Sequence, residues 1–271
     1  MQRLATLGNG AVTGPAPVPV RLGRWFSRPG WAATLALAAS LLIFGLYPEL
    51  DIWFSRLFWS PDTGWAGERQ DVVLALYHGV PWAGRLLLLA LALTWLVGLA
   101  RPAWLPRMYR RTAALLLGSA VFGQGLLIDV ALKDHWGRQR PRDTVVFNGT
   151  QPFQAALHPG GQCKSNCSFV SGHASSGFYL LGFGLLAAPA LRRRWMFAAL
   201  VAGGVIGLGR ISQGGHFLSD VVFSFFAVWL STHAVLAAMR ALDRVRARRR
   251  RRMPCPKELA QGAVGRPNGR Q

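Results

Sequence analysis

Apolar residues along the chain fall into six blocks: Trp31–Leu46, Pro81–Ala100, Thr112–Leu132, Ser168–Ala190, Trp195–Leu208 and Phe217–Met239. Most reach the roughly 20 residues a helix needs to cross the hydrocarbon core; the first and fifth are short. Within each block the apolar residues run on instead of alternating, so a membrane β-barrel is excluded. Backbone polar groups in lipid must be satisfied internally, which leaves helices. The pattern predicts an all-α protein, a polytopic bundle of six transmembrane helices. It predicts three regions: an N-terminal arm over 1–30, a six-span domain over 31–239, and a basic tail over 240–271 that is expected to be disordered against anionic headgroups. The first block follows a long Pro-rich arm, and Pro48 with Glu49 makes a poor cleavage site, so an uncleaved span is expected.

Composition agrees. Charged residues make up 15% of the 271 residues, against roughly 25% in a soluble protein. The net charge of +20 taken alone suggests a nucleic-acid partner. Its placement argues otherwise. Most Lys and Arg lie in the arm, in Arg101–Arg111, in Arg192–Arg194 and from Arg240 onward, each beside an apolar block. The positive-inside rule then puts both termini in the cytoplasm and turns 49–80, 133–167 and 209–216 outward. The first of these outward loops is acidic, with Glu49, Asp51, Asp62, Glu68 and Asp71 against Arg56 and Arg69. The partner so implied is the bilayer and not nucleic acid; nothing in the pattern fixes an oligomeric state.

Cys163 and Cys167 share one outward loop, and Cys255 lies in the tail. Their spacing suits a disulfide in an oxidising compartment and suits two free thiols equally. No zinc-type set of four ligands surrounds them.

The chemistry-bearing residues gather in the outward loops. Lys133 and Arg140 are two cations from one segment, able to clamp a phosphate dianion. Arg210 adds a third from another helix, and three converging cations repel unless an anion lies among them. Ser171 precedes an apolar helix and is placed to cap it; Gly172 and His173 then fall in its first turn, where free N–H groups favour an anion. An ordinary helix start is the alternative. His216 and Asp220 are four apart, in contact range on one helix face. A carboxylate on one imidazole nitrogen leaves the other as a nucleophile; a structural ion pair is the alternative. Asp129, one turn before Lys133, suits a buried ion pair with it. Arg85 is placed to snorkel, and the Trp residues near span ends to anchor at the interface.

Together these fragments resemble the type 2 phosphatidic acid phosphatase family, which shares a three-part signature with the vanadium haloperoxidases. The signature is Lys, six residues, Arg-Pro; then Pro-Ser-Gly-His; then Ser-Arg, five residues, His, three residues, Asp. Lys133, Arg140 and Pro141 match the first part. Ser171, Gly172 and His173 match the second, with Val170 in place of Pro. Arg210, His216 and Asp220 match the third, with Gly209 in place of Ser.

The resemblance implies a membrane phosphatase that needs no metal and no cofactor and acts on a lipid phosphate. In it His216 attacks phosphorus and Asp220 orients His216. His173 protonates the leaving alkoxide and then activates water. Lys133, Arg140, Arg210 and the N–H groups near Ser171 and Gly172 bind the charged oxygens. The stretch from Lys133 to Gly177 is similar to lipid A phosphatases of the bacterial inner membrane, with a site facing the periplasm. Undecaprenyl diphosphate, phosphatidylglycerophosphate, phosphotransfer to a second lipid, and a transporter or scaffold role are the other readings.

Overall fold

The computed structural model describes residues 29–252. Most of the N-terminal arm and the tail beyond residue 252, with the expectations attached to them, lie outside these residues; the first part of the tail, 240–252, expected to be disordered, instead continues the helix Leu218–Arg252. The chain divides into two compact units, 1–39 and 40–271. The first contributes only the start of α1 to the described residues; the second carries all that follows.

α1 (Pro29–Leu46) and α2 (Glu49–Arg56) meet at an 88° bend. Pro48 stands at the bend and lacks the N–H that a continuing α1 would need. A small antiparallel hairpin, β1 (Trp59–Ser60) with β2 (Gly64–Trp65), follows. Then come α3 (Asp71–Ala100) and α4 (Arg107–Ser119), which runs on as a wider π-helix over Ala120–Leu132. A long loop over 133–171 leads to α5 (Gly172–Phe178), α6 (Leu181–Gly184), α7 (Pro189–Ser212) and α8 (Leu218–Arg252).

Among the described residues, four helices are long and apolar enough to cross a membrane, or five if the bent α1–α2 pair is one span. The chain is therefore an all-α, multi-pass membrane protein. α3 exposes Leu86, Leu89, Leu93, Leu96 and Leu99 along its length, a continuous apolar surface that suits acyl chains and not water.

Two further sequence expectations need correction. The stretch 168–190, expected as one span, is not one long helix. It is extended at Ser171, helical over the seven residues of α5, turned, then helical over the four of α6. Its bonds tighten to the i→i+3 pattern at Leu180, Gly182, Phe183 and Leu185. The physical reason is close packing. A Cβ on Gly177 would lie 2.5 Å from the Gly203 nitrogen on α7, and one on Gly182 would lie 2.5 Å from Leu116 on α4. Such small residues let backbones approach closely, and local contacts here outweigh helical regularity. The outward loop expected over 49–80 is also shorter, because α3 already begins at Asp71 and carries Pro81 inside it.

Among the described residues, two apolar clusters tie together elements of the second unit. Leu91, Ala113 and Leu116 pack with Leu87, Leu117, Tyr179 and Phe183, joining α3, α4 and the α5–α6 segment. Trp65, Phe147 and Phe217 pack with Ile52, Phe58, Trp59 and Phe153, tying the hairpin and the long loop to the start of α8. Gly214, at φ +61°, makes the second cluster possible: a Cβ there would lie 2.3 Å from the Trp65 ring.

Candidate active site

α7 ends at Ser212 and α8 begins at Leu218, so His216 sits in the turn between them and not on the helix. The glycines at 214 and 215 delay the helix start, and His216 and Asp220 do not share a helical face. The His216 ring is buried. Its Nδ1 lies 2.7 Å from the Ser168 carbonyl oxygen. A carbonyl only accepts, so Nδ1 carries the proton and Nε2 carries the lone pair. Burial, aided by the charges of Arg210 and Arg140 and opposed by Asp220, pushes this imidazole down to about 3. At neutral pH it is an uncharged ring with one fixed tautomer.

Asp220 lies in the first turn of α8. Its Oδ2 accepts from the Phe217 N–H at 2.8 Å, the reach back to a helix N-cap that also favours a negative charge there. It also accepts from Ser168 Oγ at 2.5 Å. The His216 Nδ1 is 3.8 Å away, beyond hydrogen-bond length. Asp220 therefore acts on the imidazole at one remove. It fixes Ser168 and Phe217, and the Ser168 carbonyl takes the ring N–H.

Behind Asp220 lies a residue to which the signature gives no role. Arg138 is fully buried. Its Nη1 donates to Asp220 Oδ1 at 2.5 Å and to Ser219 Oγ at 2.8 Å, its Nη2 to Asp51 Oδ2 at 2.7 Å, and its Nε to the Gln154 carbonyl at 3.0 Å. Its guanidinium stacks over the Phe217 ring at 4.3 Å. Asp51, also buried, further accepts from the Ser219 N–H at 2.8 Å. Asp51, Arg138 and Asp220 thus form a buried relay of charge from α2 to α8. A buried cation with planar, forked donors suits two carboxylates at once.

The three cations gather at the same end. Lys133 closes the π-helix, its N–H bonded five residues back to Ile128. Its ammonium reaches over the start of α5, 3.4 Å from where a Cβ on Gly172 would stand. Burial lowers its proton affinity, as do the charges of Arg140 and Arg210, while Asp129 and Asp134 oppose them. Arg140 and Arg210 act on His216 too. Arg210, in the last turn of α7, bonds Gln213 and lies over the Tyr77 ring at 4.6 Å; its buried Nε has no hydrogen-bond partner among the described residues. Asp129 bonds Gln124, five residues earlier, at 3.4 Å. An ordinary helix would put those two about 140° apart; the wide helix brings them together.

Ser171 caps α5 as the sequence predicts, its hydroxyl accepting from the Ala174 N–H. His173 in the first turn lines a small cleft with Tyr77 and Arg210. Its ring stacks on Tyr77, with centroids 5.1 Å apart, and its Nε2 meets the Tyr77 carbonyl at 3.2 Å. That carbonyl is available because Pro81, four residues on, has no N–H to fill it. Replacing Pro81 by Ala restores the donor and draws the Tyr77 carbonyl back into α3. We expect Pro81→Ala to lower kcat about threefold to tenfold, the effect of about one hydrogen bond, with the fold retained. An unchanged kcat in a steady-state phosphate-release assay would show that the Tyr77 contact does not hold His173.

All eight residues singled out by sequence lie in the second unit and at one end of its helices. Asp51, Tyr77, Arg138, Asn166 and Ser168 join them as residues that sequence reasoning missed.

A family model for the PAP2 superfamily matches residues 113–244. The lipid A 4'-phosphatase of Francisella tularensis subsp. novicida (strain U112) is 37% identical over 202 residues, covering 73% of this chain and 90% of that protein. The lipid A 4'-phosphatase of Rhizobium leguminosarum is 34% identical over 224 residues, covering 75% of this chain and 91% of that protein. That of Rhizobium etli (strain ATCC 51251 / DSM 11541 / JCM 21823 / NBRC 15573 / CFN 42) is 33% identical over 220 residues, covering 75% and 83%. No solved structure matches the chain. With relatives this similar matched over most of their length, and with the family model spanning α4 to α8, the chain belongs to the PAP2 superfamily and is a membrane phosphatase of that family.

Proposed function

We propose that this phosphatase removes a phosphate monoester from lipid A at the periplasmic face of a bacterial inner membrane, through a phosphohistidine on His216. The observation that carries the reading is the buried, uncharged His216, its Nδ1–H given to the Ser168 carbonyl. A histidine so held presents Nε2 as a nucleophile without first losing a proton. Nε2 attacks phosphorus and the bond to the lipid oxygen breaks. The charge of the bound phosphate favours the imidazolium form of His173, and in that form His173 gives the oxygen its proton. The neutral His173 then takes a proton from water, which attacks the phosphohistidine and frees inorganic phosphate and His216. Lys133, Arg140, Arg210 and the N–H groups at the start of α5 hold the equatorial oxygens, where charge builds in the transition state.

Lipid A is favoured because the matched relatives carry that substrate in their names. The six-span topology, with the α1–α2 pair and the α5–α6 segment each counted as one broken span, has both termini cytoplasmic. It is supported by the positive loops and by the Cys163–Cys167 disulfide, since a bridge in the 133–167 loop suits an oxidising compartment.

The test is phosphate release by the purified chain from lipid A, undecaprenyl diphosphate, phosphatidylglycerophosphate and phosphatidic acid, each with EDTA present. The expected result is preferred cleavage of lipid A, unaffected by EDTA. Ready cleavage of undecaprenyl diphosphate with none of lipid A would overturn the substrate assignment, and loss of activity in EDTA would overturn the metal-free mechanism.

A further inference from the structure

Asn166 joins the two cations of the first motif. Its Oδ1 accepts from Lys133 Nζ at 3.0 Å, and its main-chain carbonyl accepts from Arg140 Nη2 at 2.8 Å. Its own N–H donates to Asp134 Oδ1 at 3.1 Å. Its φ is +50°, a left-handed conformation that Asn adopts more readily than most side chains. Lys and Arg are long and flexible, and each gains a fixed position only from what it donates to. Here one residue supplies an acceptor to both, one from its side chain and one from its backbone.

Asn166 is itself held. The disulfide between Cys163 and Cys167 closes the short loop that contains it, with Cα atoms 5.7 Å apart. Both ends of that loop are tied to the cation-bearing segment: the Cys163 N–H donates to the Gly137 carbonyl at 3.1 Å, and the Cys167 N–H to the Lys133 carbonyl at 2.9 Å. Opening the bridge leaves those backbone bonds but returns conformational freedom to the residues between them.

We propose that Asn166 is a positioning residue for Lys133 and Arg140, and that the Cys163–Cys167 bridge holds it in place, so that reducing the bridge weakens phosphate binding. The proposal rests on the assignment of Lys133 and Arg140 to phosphate binding. A dithiol such as dithiothreitol supplies the two electrons and two protons: the S–S bond breaks to two thiols, and the reductant closes to its cyclic disulfide. Asn166 acts on the cations and not on His216, so the effect falls on binding more than on the chemical step.

The full chain in detergent tests this, read as KM, kcat and the inhibition constant of inorganic phosphate. Asn166→Ala is expected to raise KM and the inhibition constant about tenfold, the loss of about one charge-assisted hydrogen bond, with kcat changed less than about threefold. Asn166→Gly keeps the left-handed backbone and its carbonyl but loses the bond to Lys133, so it should fall between wild type and Asn166→Ala. Dithiothreitol should shift wild type in the same direction, reversibly on reoxidation, and should shift Asn166→Ala little further, because the two changes act through one residue. Lys133→Ala and Arg140→Ala run alongside. If both raise KM while the Asn166 variants and the reductant do not, the proposal is overturned and the phosphate site stands. If neither raises KM, the phosphate site falls, and the proposal with it. A reductant effect equal in wild type and Asn166→Ala, or one on kcat alone, also overturns it.

Discussion

Replacing His216 by Ala is expected to lower kcat for phosphate release by about 10⁴-fold or more, with the protein still extractable and folded in detergent. A covalent route has no substitute once its nucleophile is gone. The next polar groups behind the ring, the Ser168 carbonyl and the Asp220 carboxylate, are acceptors turned toward the protein interior. The three cations proposed to bind phosphate remain, so KM should change far less than kcat. The assay is phosphate release, paired with trapping of an acid-labile phosphoprotein from radiolabelled lipid in wild type and its absence in the variant. Residual activity within tenfold of wild type would mean that another group attacks phosphorus, and an intact cellular function in the variant would point to a transporter or scaffold.

Arg138→Ala is expected to bring the largest loss of stability of any single change near the site, about 3–5 kcal/mol, the range for breaking a buried charge pair by removing one partner. Asp51 and Asp220 would then face each other without the cation between them. The Gln154 carbonyl and the Ser219 hydroxyl would each lose a donor as well. Arg138→Lys keeps the charge but not the fork, since one ammonium cannot bridge both carboxylates as a planar guanidinium does, and should fall between. The measurement is the thermal midpoint in a fixed detergent and lipid mixture. A drop of less than about 1 kcal/mol equivalent would show that the relay contributes little. Activity should fall with stability, because Asp220 anchors Ser168 and the Ser168 carbonyl takes the N–H of His216, the proposed nucleophile.

Much of this was legible in the sequence, and the parts that were not share a cause. Lys133, Arg140, Ser171, Gly172, His173, Arg210, His216 and Asp220 stand in fixed spacings, and a spacing survives without knowledge of the fold. The spans that became α3, α4 with its π extension, α7 and α8 were legible from apolar blocks alone, though all four helices run longer than their blocks. Arg138 and Asp51 were not. Each looks like an ordinary loop charge, and the bond between them joins residues 87 apart in sequence. The segment 168–190 misled because its apolar, Gly-rich composition reads like a span, while the role of its glycines is fixed only by the helices they touch. The spacing of four between His216 and Asp220 suggested a shared helix face; Gly214 and Gly215 moved the helix start past the histidine. Pro81 did carry a signal, since a proline within an apolar block frees the carbonyl four residues earlier, but the group that finds it lies 96 residues further along.

The π-helix over Ala120–Leu132 makes the number of residues in this stretch matter more than their identity. Val121, Phe122, Leu126 and Val130 face outward, and any apolar side chain would serve there. Deleting one of them would change the winding of the segment and is expected to carry Lys133 around the axis, away from the start of α5 over which its ammonium now lies. Drift in this helix can therefore proceed by exchange of oily side chains, whereas a single-codon deletion on its lipid-facing side is expected to lower activity without altering any residue proposed to touch substrate.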